Sequence, residues 1–143
     1  MIELLVENSN LEFTTWSKQQ YVNKDIKWAA HTPIDRFGAY SKEGEKNDIG
    51  YQLFGSGKDY VNELQLVLNV YNAEDKENAL THLAILSEQV LLKLGIELPK
   101  DLKEQIVADK HYFLEMDSNY ILVRKINDTD RKIEITKMSI LSK

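Results

Sequence analysis

A histidine, an aspartate and an arginine lie close together in the first third of the sequence. His31 precedes Asp35 by four residues, and Arg36 follows Asp35 directly. A histidine paired with an aspartate can transfer protons near neutral pH, so these residues are the candidate site of an enzyme. A hydrogen bond inside a loop explains the same residues without catalysis, and both explanations stay open at this stage.

A glycine-rich segment and the histidines bear on phosphate and metal binding. Residues 55–58 (GSGK) resemble part of a phosphate-binding loop, but Gln52 stands where that loop needs glycine and Asp59 where it needs serine or threonine. We therefore predict a hairpin turn there. The sequence has no cysteine, and none of its three histidines has a partner at the spacing of a known metal motif. No cofactor and no metal are predicted.

Aromatic and acidic side chains in the predicted loops are the candidate contacts for another protein. Exposed aromatic rings anchor protein interfaces, and acidic side chains attract a basic partner during encounter. The candidate contact residues are Trp28, Tyr40, Glu43, Glu45 and Asp48.

The composition is typical of one folded domain spanning residues 1–143. Its hydrophobic fraction is 43% and its charged fraction 29%, and the net charge is −5. A negative chain lacks the basic face that nucleic acid requires. No stretch approaches the ~18 apolar residues of a membrane span. We therefore expect a cytoplasmic protein, or an exported one if the chain lacks its leader, whose partner is another protein and neither nucleic acid nor membrane.

Alternating apolar residues predict an antiparallel sheet built from two parts. The first part is a hairpin over residues 49–71, where Leu64, Leu66, Leu68 and Val70 share one face of the second strand. The second part is a meander over residues 112–140. Residues 23–34 are predicted as a loop, whereas residues 11–22 fit either a short helix or a strand.

Two helices are predicted between the hairpin and the meander. The longer runs over residues 73–94, with Asn72 as its cap and Gly95 as its left-handed end. The shorter runs over residues 99–109 and opens with Pro99. Strands and helices that segregate in this way indicate an α+β fold with both helices packed on one face of the sheet.

The long helix carries a second apolar face beside its main stripe. Ile85 and Leu92 lie seven residues apart on this second face. The short helix, the N-terminal part of the chain or another molecule must cover them, and the last case includes a homodimer.

Two classes of small bacterial protein are similar to this chain in size, acidity and lack of a catalytic motif. Toxin-neutralising immunity proteins are one class. Class I secretion chaperones are the other, although they usually begin and end with a helix and this chain is predicted to end with a strand. We expect a non-enzymatic, immunity-type protein that neutralises a basic toxin or effector. The alternatives are a secretion chaperone, a structural homodimer and the enzyme with a site near His31, Asp35 and Arg36.

Overall fold

The computed structural model describes residues 14, 17–20, 26–55, 63–115 and 119–137. Among them, eight antiparallel strands form one sheet and two helices pack on one of its faces, which confirms the predicted α+β fold. The strands are β1 (Ser17–Gln20), β2 (Ile26–His31), β3 (Asp35–Phe37), β4 (Asn47–Gly55), β5 (Glu63–Asn69), β6 (Tyr112–Glu115), β7 (Asn119–Lys125) and β8 (Asp130–Lys137). None of the helices in these residues is long and apolar enough to cross a membrane.

The strand order across the sheet is β1-β2-β4-β5-β8-β7-β6, and β3 pairs with β4 beside β2. The predicted hairpin is β4 with β5, and the predicted meander is β6, β7 and β8. Strand β8 lies against β5, so the last strand of the meander joins the two parts into one sheet.

Every second residue along β5 contributes to the core. Leu64, Leu66 and Leu68 are fully buried on the face that the helices cover, which we call the inner face. Their cross-strand partners on β4 are apolar as well, since Leu66 pairs with Tyr51 and Leu68 with Ile49. The predicted period-two pattern is therefore confirmed, and it fixes the register of the sheet.

The long helix starts at the residue that the sequence marks. The Asn72 side chain accepts a hydrogen bond from the Glu74 amide at 3.3 Å and caps a 3-10 turn (Ala73–Asp75), which leads into helix α1 (Lys76–Lys93). The predicted stripe of α1 is buried in full. It consists of Leu80, Leu83, Ala84, Ser87, Leu91 and Leu94.

Helix α1 ends in a Schellman motif centred on Gly95. Gly95 has φ +73°, its amide donates to the Leu92 carbonyl at 3.1 Å, and the Ile96 amide donates to the Leu91 carbonyl at 2.9 Å. Ile96 and Leu91 are both buried in the core. The prediction that Gly95 ends the helix is confirmed.

Helix α2 (Leu102–Val107) ends in the same motif with an aspartate in place of glycine. Asp109 has φ +60°, its amide donates to the Ile106 carbonyl at 2.9 Å, and the Lys110 amide donates to the Gln105 carbonyl at 3.1 Å. A left-handed conformation is unfavourable for a residue with a Cβ, so another interaction must stabilise it.

That interaction is an ion pair between α2 and β8. The Arg131 guanidinium donates two hydrogen bonds to the Asp109 carboxylate, at 3.0 and 2.9 Å, and a third to the Asp128 carbonyl. Arg131 lies on the inner face of the sheet, where it pairs with Leu68, and it is only 3% exposed although its side chain is charged. Asp109 therefore provides the counter-charge that a buried guanidinium requires.

The N-terminal part of the chain differs from its prediction. Residues 23–34 contain β2 (Ile26–His31) where we predicted a loop, and residues 11–22 contain β1 (Ser17–Gln20) where helix and strand were both open. Neither strand alternates clearly in sequence, and pairing with its neighbour in the sheet outweighs this weak local signal. The turn predicted at residues 55–59 lies outside the described residues except for Gly55.

Candidate protein-binding site

The loop between β3 and β4, residues 38–46, has its own network of backbone hydrogen bonds. The Ser41 amide donates to the Glu45 carbonyl at 2.7 Å, and the Gly44 amide donates to the Ser41 carbonyl at 3.0 Å. The Ser41 hydroxyl accepts from the Glu45 amide at 3.0 Å. These bonds close a tight turn within the loop.

The same loop is fastened to the start of helix α1. The Asn72 amide group donates to the Ala39 carbonyl at 2.9 Å, and the Asp75 carboxylate accepts from the Ala39 amide at 3.0 Å. Asn47, which is fully buried, accepts from the Asn72 backbone amide at 2.8 Å. The helix cap thus also positions the loop.

Gly38 lets the chain enter this loop. It has φ +78°, a conformation that side chains with a Cβ rarely adopt. A Cβ at this position would collide with the Asp75 carboxylate, the group that binds Ala39. Gly44 also has a positive φ, but a Cβ there would meet open space.

The loop presents an aromatic ring and two carboxylates to solvent. Tyr40 is 70% exposed, and Lys46 places its ammonium 4.5 Å from the centre of the Tyr40 ring. Glu43 and Glu45 are exposed in the turn itself. The contact between Lys46 and Tyr40 is a cation–π interaction.

A second tyrosine stands beside the loop among carboxylates. Tyr71 follows β5 and is 49% exposed. Partial burial raises the pKa of its hydroxyl, and the negative charges of Asp48, Asp130 and Glu45 raise this pKa further. Asp48 and Asp130 flank Asn69 on the two neighbouring strands, two residues before Tyr71 in the chain.

The two tyrosines are each next in the chain to one of two residues that contact each other. Tyr40 follows Ala39 and Tyr71 precedes Asn72, and the Asn72 side chain donates to the Ala39 carbonyl. We call this region the tyrosine–acid surface. It consists of Tyr40, Glu43, Glu45, Tyr71 and Asp130.

Two of the candidate contact residues do not lie in loops. Trp28 is half-buried on β2, where it pairs with Gly55. Asp48 is the second residue of β4 and only 7% exposed, and its carboxylate accepts a hydrogen bond from the Asn69 side chain at 2.8 Å. The expected loop positions of both are wrong, because Trp28 lies on a strand that the sequence pattern did not predict and β4 begins two residues before the predicted hairpin. Their role as contacts stays a prediction.

The structure does not bring the candidate catalytic residues together. His31 pairs with Gln52 of β4, and Arg36 pairs with Asp48 of the same strand. Asp48 lies four residues before Gln52, which separates the two pairs by roughly 13 Å. Asp35 is next to Arg36 on the strand, so its side chain lies on the opposite face of the sheet. A contribution of Asp35 to the raised pKa of Tyr51, an inner-face residue, agrees with this placement.

The second apolar face of α1 stays exposed among the described residues. Ile85 is 40% exposed and Leu92 is 62% exposed. Coverage by the short helix, one of the expected arrangements, is wrong because α2 packs against the buried side of α1. A role of Ile85 and Leu92 in a homodimer stays a prediction.

Tyr71 and Asn47 are site residues that the sequence pattern does not single out. Tyr71 follows an apolar strand, and the sequence pattern of such a tyrosine fits a core residue as well as a surface residue. Asn47 stands in a run of polar residues that is typical of a turn, whereas the structure buries it against Asn72. The one local signal is Asn72 next to the acidic start of the helix, and this signal predicts the helix cap alone.

Within the parts of the chain that the structure describes, no three histidine or acidic side chains are grouped to hold a metal ion. Comparisons with protein-family models, curated proteins and solved structures found no match to this chain. The assignment of a function therefore rests on the site's own geometry.

Proposed function

We propose that this chain is a non-enzymatic protein-binding module that neutralises a basic partner, in the manner of an immunity protein that blocks a toxin or effector. The tyrosine–acid surface is its contact region. The observation that carries this proposal is the rigid 38–46 loop, which presents the exposed Tyr40 ring next to carboxylates.

The chemistry of this surface fits a basic protein. Tyrosine supplies a large contact area at a small cost in conformational entropy, which makes it a frequent anchor of interfaces. Glu43, Glu45 and Asp130 carry negative charge on this surface, and negative charge accelerates encounter with a cationic protein. Lys42 and Lys46 of the same loop partly offset this charge, so the net charge of −5 of the whole chain contributes to the attraction as well. A lysine or arginine of the partner can thus reach a ring and a carboxylate at once.

The hydrogen-bonded order of the loop favours binding. A surface that is already ordered loses little conformational entropy in a complex, so its contacts contribute more of their free energy to affinity. The hydrogen bonds from Asn72 and Asp75 to Ala39 supply this order.

Affinity capture with matched variants tests the proposal. The immobilised chain is exposed to extract from cells that carry the native neighbouring genes, and retained proteins are identified by mass spectrometry. We expect one basic protein that the wild type retains, that Y40A/E43K/E45K loses, and that E97K/E104K retains. The control reverses two exposed glutamates near and within helix α2. Equal retention of that protein by all three chains would contradict the proposal.

A further inference from the structure

Strand β6 forms one end of the described sheet. Among the described residues, β7 is the only strand that pairs with β6. The edge of such a strand has backbone donors and acceptors that can pair with another strand. The inner side of β6 is fixed to α2, because the Tyr112 hydroxyl donates to the Asp101 carboxylate at 2.9 Å.

The outer face of β6, continued by His111 directly before the strand, carries three exposed side chains in alternation. His111, Phe113 and Glu115 are exposed, whereas Tyr112 and Leu114 between them are half-buried. Phe113 contacts the Tyr120 ring, with 5.7 Å between ring centres, and still remains 58% exposed. A large apolar side chain on an open strand edge is a feature that proteins usually avoid unless the edge is used.

We infer that β6 pairs antiparallel with β6 of a second copy of this chain, with Phe113 opposite Phe113 on the two-fold axis. A two-fold dimer places the same surface on both copies, so the edge must complement itself. The choice among registers follows from the side chains.

Only one register fits the side chains of this strand. In an antiparallel pair, residues directly opposite each other have their side chains on the same face of the sheet. The two-fold axis therefore lies between the two copies of one residue, and not midway between two neighbouring residues of the chain. An axis at Phe113 places His111 opposite Glu115 and the two Phe113 rings together. An axis at Tyr112 would instead oppose Asp109 to Glu115, and an axis at Leu114 would oppose Phe113 to Glu115.

The complementary pair fixes the occupant as a second copy. In the Phe113 register an imidazole meets a carboxylate twice, once on each side of the axis, and a hydrogen bond from an imidazole N–H to a facing carboxylate stabilises a strand pair. Four strand residues bury little surface, so the dimer is weak and forms at high protein concentration.

A cysteine scan tests the geometry, and the cysteine-free sequence makes it clean. Facing residues of antiparallel strands lie at Cα distances of about 4.5–5.5 Å, which a disulfide can span. F113C is therefore expected to form a disulfide-linked dimer about tenfold faster than I34C, an equally exposed control, because pairing raises the local thiol concentration. L92C reports on the exposed face of α1 and is expected to react at the control rate.

A charge exchange tests the register. In sedimentation velocity at rising concentration, E115K and H111E are each expected to lose the dimer, since E115K removes the carboxylate that faces His111 and H111E places two carboxylates opposite each other. H111E/E115K is expected to regain it. All three positions are exposed, and thermal melting of each variant checks its fold.

Two results would overturn the inference. One is an F113C rate equal to that of I34C or below that of L92C. The other is a sedimentation series in which the wild type shows no dimer, or in which the wild type dimerises and the double variant stays as monomeric as the two single variants.

Discussion

At the scale of single residues, the loop depends on glycine at two positions with different surroundings. Gly38 and Gly44 both have positive φ, but only Gly38 lies against the Asp75 carboxylate. Alanine at Gly44 is expected to cost about 1–2 kcal/mol for the left-handed backbone alone. Alanine at Gly38 should cost more, because it also displaces Asp75 from the Ala39 amide.

Chemical denaturation of G38A and G44A measures this difference directly. The larger loss in G38A should be accompanied by faster amide exchange at Ala39. Equal losses in the two variants would show that the contact between Asp75 and Ala39 does not hold the loop.

Asp109 is the second residue whose identity the structure explains. Glycine would suit the backbone at this position better, but it would leave Arg131 buried without a counter-charge. We expect both D109N and D109G to destabilise the protein, D109G by roughly 3–5 kcal/mol. Urea unfolding measures the loss. A D109G variant more stable than the wild type would show that backbone strain outweighs the ion pair.

The same carboxylate makes stability depend on acid. Hydrogen bonds from Arg131 hold the pKa of Asp109 below its ordinary value of 3.8, against the opposing effect of its partial burial. A group with a lowered pKa in the folded state contributes stability above its ordinary pKa and loses it as pH falls through the folded value. The free energy of unfolding, measured with urea, should therefore fall more steeply between about pH 5 and pH 2 for the wild type than for D109N. Parallel curves would rule out this contribution of Asp109.

At the scale of elements, the two faces of β5 make different demands on their residues. Leu66 is fully buried under the helices, and Val67 is half-buried on the other face. L66A is expected to cost roughly 2–5 kcal/mol, and V67A should cost clearly less. Denaturant titration compares the two. Equal losses would mean that both faces of the sheet are equally packed.

Local signals made some elements predictable. Alternation in β5, the cap at Asn72 and the glycine at position 95 act through neighbouring residues, so the sequence displays them. Strands β1 and β2 form through pairing across the sheet and have little pattern of their own. The left-handed Asp109 was unpredictable for the same reason, since its partner Arg131 lies 22 residues away.

The site was predictable to the extent that it lies in a loop. Tyr40, Glu43 and Glu45 follow from polar and glycine-rich sequence around an exposed ring. The burial of Asp48 depends on Asn69 of the neighbouring strand, and no local pattern shows it. Tyr71 becomes a surface residue because the helix begins directly after it.

At the scale of the whole molecule, the two proposed interaction surfaces lie on different parts of the sheet. Strand β4, which follows the 38–46 loop, is separated from β6 by three strands, and β8, which carries Asp130, is separated from β6 by one. These spacings place β6 about 19 Å from β4 and about 10 Å from β8. A weak dimer through β6 is thus compatible with a partner on the tyrosine–acid surface.

The central claim is that the tyrosine–acid surface attracts and binds a basic protein, and association kinetics test it most directly. Stopped-flow mixing of the captured partner with E43K/E45K should show association slowed roughly tenfold at low salt, because reversal removes the attraction. The difference should shrink as salt screens the charges. The control E97K/E104K should associate at a rate close to that of the wild type, and melting temperatures of both variants should stay near the wild-type value. An association rate of E43K/E45K equal to that of the wild type at low salt would contradict the account.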